Sequence, residues 1–316
     1  MLKNNIGIIA VLVILFVILS FISPVFLTSS NLITVLQQIT INVFLALGMT
    51  LVIILGGIDL SVGAIVALSG TLTVGFIVNS GIPVYAAILL GVLLGGLIGL
   101  LNGFVIAQFK LPPFIVTLAS MYIAQGIAYI YSGGQAARIT NDAFTNIGTV
   151  RIFGFIPLPV VYMVILVAIF IILLSKTKFG TYVYAIGGNR EAARLSGVPS
   201  KKVEISVYVL TGVLAAFAGI VLAARMYSGQ PSVGQGYELD AIAACVLGGV
   251  SMAGGRGRIS GTVFGAIVIG VVSNGLNLLG VNSFWQLLVM GLIILIAVII
   301  DAQKGKKLPF SFKMAK

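Results

Sequence analysis

The chain has 316 residues, of which 59% are hydrophobic and 8% charged, with a net charge of +11. Soluble domains hold about 25% charged residues, and a soluble protein of this length could not hide so much apolar surface from water, so a soluble globular chain is excluded. There is no histidine and a single cysteine, Cys245, which excludes His-based catalysis, the usual metal ligand and any intrachain disulfide.

A helix needs about 20 residues to cross the hydrocarbon core. Lys3 precedes an apolar run, Ile6–Ile22, that is too long for a signal-peptide core and is followed by no small-residue cleavage site. It reads as an uncleaved first span. Continuing along the chain, apolar runs predict spans at 6–23, 37–55, 60–79, 84–108, 114–132, 159–175, 206–224, 238–252, 259–279 and 283–300. The second, third and eighth adjoin Gly-rich breaks or run short. With the N-terminus in the cytoplasm, 15 of the 18 Lys and Arg fall inside, and Arg138, Arg151 and Arg225 fall outside. The +11 charge therefore reads as the positive-inside rule rather than as a nucleic-acid surface. The expected fold is an all-α integral membrane protein of about ten transmembrane helices with both termini cytoplasmic. It forms one domain over 1–316, with an external loop at about 132–158, a cytoplasmic loop at about 176–205 and a cytoplasmic tail at 301–316.

Five stretches interrupt the apolar pattern. Gly56-Gly57-Ile58-Asp59-Leu60-Ser61-Val62-Gly63 is a polar break before the third span. An acid inside a span costs about 2.5–3.5 kcal/mol on insertion scales, so Asp59 either caps the next helix near Val62 or lines a pathway. On the fourth span, Gly91, Gly95, Gly99 and Gly103 recur every fourth residue and make a flat stripe, for internal packing or for a subunit interface.

The cytoplasmic loop holds a short helix with its own start and stop. Asn189 is a good N-cap, Glu191 lies in the first turn, Gly197 suits a left-handed C′ position and Pro199 blocks continuation. Between them run Arg190, Ala192, Ala193, Arg194, Leu195 and Ser196. Such a helix is marginal alone in water, and docking to a cytoplasmic partner explains it best. Glu238 and Asp240 open the eighth span near the outside face; two residues apart they do not share a helix face, so they read as helix-start acids or as part of a gate. Finally, Gly248–Gly261 is Gly-rich with Arg256 and Arg258 but lacks the G-x-x-x-x-G-K-[ST] order of a phosphate loop, and reads as a flexible inside turn.

Taken in order, four stretches resemble the permease subunits of bacterial ATP-binding-cassette sugar importers, over nearly the whole chain from Asn31 to Asp301. They are Met49–Ile53 running into Gly57–Gly63, Gly187–Gly197, Gly236–Ala244, and Asn274–Val281, the last characteristic of the ribose branch. The resemblance implies a multi-pass protein of the bacterial cytoplasmic membrane with two copies forming a path at their interface. A separate ATPase, using ATP and magnesium, would dock on Asn189–Gly197, and a separate binding protein would deliver sugar outside. This chain itself would bind no cofactor, metal or nucleic acid and would not be an enzyme. The expected cargo is a monosaccharide, ribose first, moved inward by alternating access, with Asp59, Glu238 and Asp240 as candidate pathway or gate residues. Little specificity need reside in the membrane path, because the binding protein can select the sugar. The alternatives are a permease of the same family for another sugar, an autoinducer or a branched-chain amino acid, and an ion-coupled secondary transporter. The absence of His and the few buried acids argue against the last.

Overall fold

The computed structural model describes residues 6–303, and a helix lies on each of the ten predicted spans. These helices are α1 (Ile6–Ile22), α2 (Ser29–Ile54), α3 (Val62–Val78), α4 (Val84–Phe109), α5 (Pro113–Ser132), α7 (Leu158–Lys176), α10 (Ser200–Met226), α11 (Tyr237–Leu247), α12 (Ile259–Leu278) and α13 (Ser283–Gln303). Three more, α6 (Asp142–Thr149), α8 (Lys178–Gly188) and α9 (Arg190–Leu195), lie in the two long connections. Among the described residues, six helices (α2, α4, α5, α7, α10 and α12) are long and apolar enough to cross a membrane. Lys3 and the tail beyond Gln303 lie outside the described residues, so the charge count there rests on sequence.

Among the described residues the fold is helical apart from two short β pairings, which the all-α expectation lacked. β1 (Ala137–Arg138) pairs with β4 (Ser228–Gly229), and β2 (Arg151–Ile152) pairs with β3 (Ile156–Pro157). The 132–158 connection is thus an ordered cap, tied through β4 to the end of α10. The 176–205 connection differs from expectation too. It holds α8 as well as α9, and α10 begins six residues earlier than predicted, at Ser200. The charges of Lys201, Lys202 and Glu204 hid those extra turns from an apolar-run reading.

α2 and α10 form the centre. The apolar stretch of α2 is 83% buried, against 17% in α7. On α4 the two faces differ in size rather than polarity. Leu89, Leu93, Leu97 and Leu101 point outward, while Gly91, Gly95 and Gly99 are buried. In lipid both faces can be apolar, and small residues are where backbones meet. A methyl on Gly99 would crowd the Tyr208 backbone, and one on Gly103 would come within 2.7 Å of Ile205 Cα. The stripe is the α4–α10 packing surface within one chain.

Candidate functional site

The first interruption of helical form follows Ile54. Gly56 takes φ +93, and the chain resumes helix at Val62. Asp59 is fully buried. Its Oδ1 accepts from the Ser61 amide at 2.9 Å and from Ser61 Oγ at 2.6 Å. Ser61 Oγ in turn accepts from Asn102 Nδ2 at 3.0 Å, and Ser120 Oγ donates to Asn102 Oδ1 at 2.5 Å. Thr117 Oγ1 donates to the Ile58 carbonyl at 3.2 Å and accepts from the Leu60 amide at 3.2 Å. Asp59 and Thr117 thus satisfy backbone groups of the break, Asn102 and Ser120 extend the network onto α4 and α5, and Asp59 Oδ2 stays buried without a partner. Sequence reasoning found Asp59 but missed Asn102, Thr117 and Ser120, which sit in apolar helices; a polar residue inside an apolar run was the available signal.

The second interruption follows α10, which ends at Tyr227 in the left-handed region with φ +54. Here the structure corrects the expectation that Glu238 and Asp240 lie near the outside face. The 228–236 connection runs back down the side of α3. A Cβ on Gly229 would lie 2.9 Å from Thr71 and 3.0 Å from Val74, while Gly234 packs on Gly63 and Val66. From Val74 to Gly63 is about 16 Å of helix, so α11 starts level with the first turn of α3. That level is the middle of α10, because Gly95 meets Gly212, Ala216 and Ile65 together. α11 has 11 residues, about 16 Å, half of a roughly 30 Å hydrocarbon core. The missed signal was Gly63 on α3, small enough to admit the Gly234 backbone.

The acids of α11 part ways there. Glu238 Oε1 accepts from the Gly236 amide at 3.2 Å, and its other oxygen rests against Gly63. Asp240 instead faces a cavity of about 190 Å³ with Gln38, Asn42, Arg225, Tyr237 and Ser273.

At the other end of α10 stands α9. Asn189 Oδ1 accepts from the Ala192 amide at 2.9 Å, and Gly197 closes the helix at φ +80. Arg194 forks onto Glu191 Oε2 at 2.9 and 3.1 Å, and Arg190 pairs with Glu204 on α10. A groove of about 780 Å³ runs between α9 and the turn after α4, rimmed by Lys110, Arg190, Arg194 and Lys201. Beneath it three backbones meet. Gly187 abuts the Ile54 carbonyl, which accepts from the Gly255 amide at 2.8 Å, and Gly254 fits beside Gly187. Tyr184 donates to the Gly257 carbonyl at 2.8 Å, and burial raises its hydroxyl pKa. The Gly248–Gly261 stretch, expected to be flexible, is therefore packed between α2 and α8.

Comparison with known proteins decides what kind of chain this is. Residues 31–298 match the family described as branched-chain amino acid transport system / permease component. The chain belongs to this permease family. The ribose import permease protein RbsC of Bacillus subtilis (strain 168) is 48% identical over 296 residues, covering 93% of this chain and 91% of the relative. RbsC of Escherichia coli (strain K12) is 45% identical, covering 93% and 92%. The L-arabinose transport system permease protein AraH of the same strain is 44% identical, covering 95% and 91%. No solved structure matches. The permease is a multi-pass membrane protein and a transport component rather than an enzyme.

The fourth resemblance stretch is occupied structurally. Asn274 and Asn31 exchange amide hydrogen bonds at 2.9 and 3.1 Å, and Asn277 Oδ1 accepts from Gln286 Nε2 at 2.9 Å. These bonds fasten the end of α12 to the starts of α2 and α13.

Proposed function

We propose that this permease is the membrane subunit of an ATP-binding-cassette importer that moves ribose into the cytoplasm. The observation that carries the reading is 45–48% identity to ribose import permeases over more than nine-tenths of their length. Arabinose is the second reading, favoured by the 44% identity to AraH. In this reading the chain is a single domain that crosses the bacterial inner membrane ten times with both ends in the cytoplasm. It pairs with a second copy, receives a loaded binding protein at the 132–158 cap, and uses ATP and magnesium only through a partner ATPase.

The partner would seat on Asn189–Gly197, where the four cations of the groove suit an acidic surface. Movement of α9 would pass to α10 through Arg190–Glu204 and to α2 through the contact of Gly187 with Ile54. α10 and α2 also line the cavity beside Asp240, so one displacement would reach both the α9 groove and that cavity. Of the three candidate pathway acids, Asp59 and Glu238 are engaged by protein, which supports structural roles for them and leaves Asp240 facing open space.

The test is sugar uptake into sealed vesicles holding the permease, its ATPase and its binding protein, omitting each in turn. Ribose uptake that needs all three and ATP is the expected result. Uptake of arabinose in preference selects the second reading. Transport by the permease alone on an ion gradient overturns both.

A further inference from the structure

The cavity beside Asp240 is built from four helices that are otherwise apolar. α2 contributes Gln38 and Asn42, α10 Arg225, α11 Tyr237 and Asp240, and α12 Ser273. All six are neither fully buried nor fully exposed, as the lining of a partly open space would be. Two features mark the lining. Gln38 Oε1 is buried with no hydrogen-bond partner, a state it shares among the described residues with Asp59 Oδ2, Ser69 Oγ, Thr71 Oγ1, Thr73 Oγ1 and the Tyr208 hydroxyl. Arg225 and Asp240 also line the same cavity without closing on each other. The ion pairs among the described residues are Arg190–Glu204 and Arg194–Glu191, and Arg225 spends one donor on the Gln37 carbonyl at 2.8 Å.

The lining tells what would fill it. An amide pair, a carboxylate, a guanidinium and two hydroxyls offer donors and acceptors close together, which suits a neutral molecule carrying hydroxyls on adjacent carbons. Both signs of charge are present once, so the lining selects neither an anion nor a cation. The volume lies below the roughly 300–1,000 Å³ of drug-sized sites, and a peptide is too large for it. The cavity runs from the N-terminus of α11, level with the middle of α10, to Arg225 in the last turn of α10, about 37 Å along that helix from Ser200, which lines the α9 groove.

We propose that this cavity is a monosaccharide-contact site belonging to the permease itself, in which Asp240 and Arg225 bridge neighbouring sugar hydroxyls while Gln38 and Asn42 read others. The inference rests on the reading of the chain as a sugar importer, and deepens it: the membrane path carries its own weak selectivity instead of leaving all discrimination to a binding protein.

The test uses the full-length permease in liposomes with its ATPase. Cys245 is buried, so Ser273→Cys, or Asn42→Cys if the first folds poorly, supplies a reporter for a small maleimide. Phe153→Cys, at a cap position 85% exposed, is the control. Millimolar ribose should slow labelling at position 273 or 42 and leave 153 unchanged, leucine should do neither, and adding Asp240→Asn should raise the protecting concentration about tenfold, the scale of one hydrogen bond. Protection by leucine instead, no protection by any monosaccharide, or reporters that never label from water would each overturn the site. Wild-type vesicles lacking ribose uptake would sink the ribose reading alone, since protection by another monosaccharide would still support the cavity.

Discussion

The permease breaks helical form twice inside its bundle, before α3 and before α11, and each break carries acids among glycines. The surroundings differ. Around Asp59, α4 and α5 supply Asn102, Thr117 and Ser120, and the carboxylate is held by Ser61 with no exposed surface. Around Asp240, the facing surfaces of α2, α10 and α12 leave a cavity. Similar local sequence thus yields a sealed joint in one place and an open site in the other. What differs is how closely the neighbours approach: Asn102, Thr117 and Ser120 reach the first break, while the polar side chains around Asp240 leave a space between them.

That contrast can be broken by substitution, and the largest effect is expected where the two breaks touch. Gly63 packs against Glu238 and the Gly234 backbone. Gly63→Val should cost about 3 kcal/mol or more and abolish monodisperse protein on size exclusion. Asp59→Leu should follow, losing about 2–3 kcal/mol because Ser61 loses its acceptor, with Asp59→Asn milder on the same thermal melt. A stable Asp59→Leu protein that fails only in transport would erase the distinction between the two breaks.

Gly197→Val acts away from both. Nothing lies within 4 Å of the added Cβ, so the effect is backbone strain of about 1–2 kcal/mol at a left-handed residue. Normal membrane abundance with uptake lowered at least about tenfold is expected, and normal uptake would count against α9 as the coupling helix. Asn274→Ala should lower stability by about 1 kcal/mol with sugar preference unchanged in competition uptake; an altered preference would move this motif from packing to specificity. Smallest of all in stability, Asp240→Asn should melt within about 0.5 kcal/mol of wild type, because its carboxylate is in neither of the ion pairs among the described residues, while losing uptake.

Much of this was legible because it is local. Apolar runs long enough to span lipid placed the helices, and the signals of α9 lie within a few residues of one another: Asn189 bonds Ala192, and Gly197 and Pro199 stop what Asn189 starts. The glycine stripe of α4 was visible as spacing, but not the partner it meets. The cap at 132–158 looked like a loop because β1 and β4 are two residues each and ninety residues apart, so neither carries a strand pattern alone.

The sequence by itself determined a membrane protein, its helix-forming segments, the ends of α9 and its permease family. These follow from hydrophobicity and capping, which are written in consecutive residues. Only the tertiary structure decided that α11 begins beside the middle of α10 rather than at the surface, and that Asp240 opens on a polar cavity while Asp59 is sealed. The depth of α11 depends on a small residue, Gly63, of another helix, and the cavity depends on four helices presenting polar side chains to one space. Neither can be read from one segment, because each is a property of the space between segments.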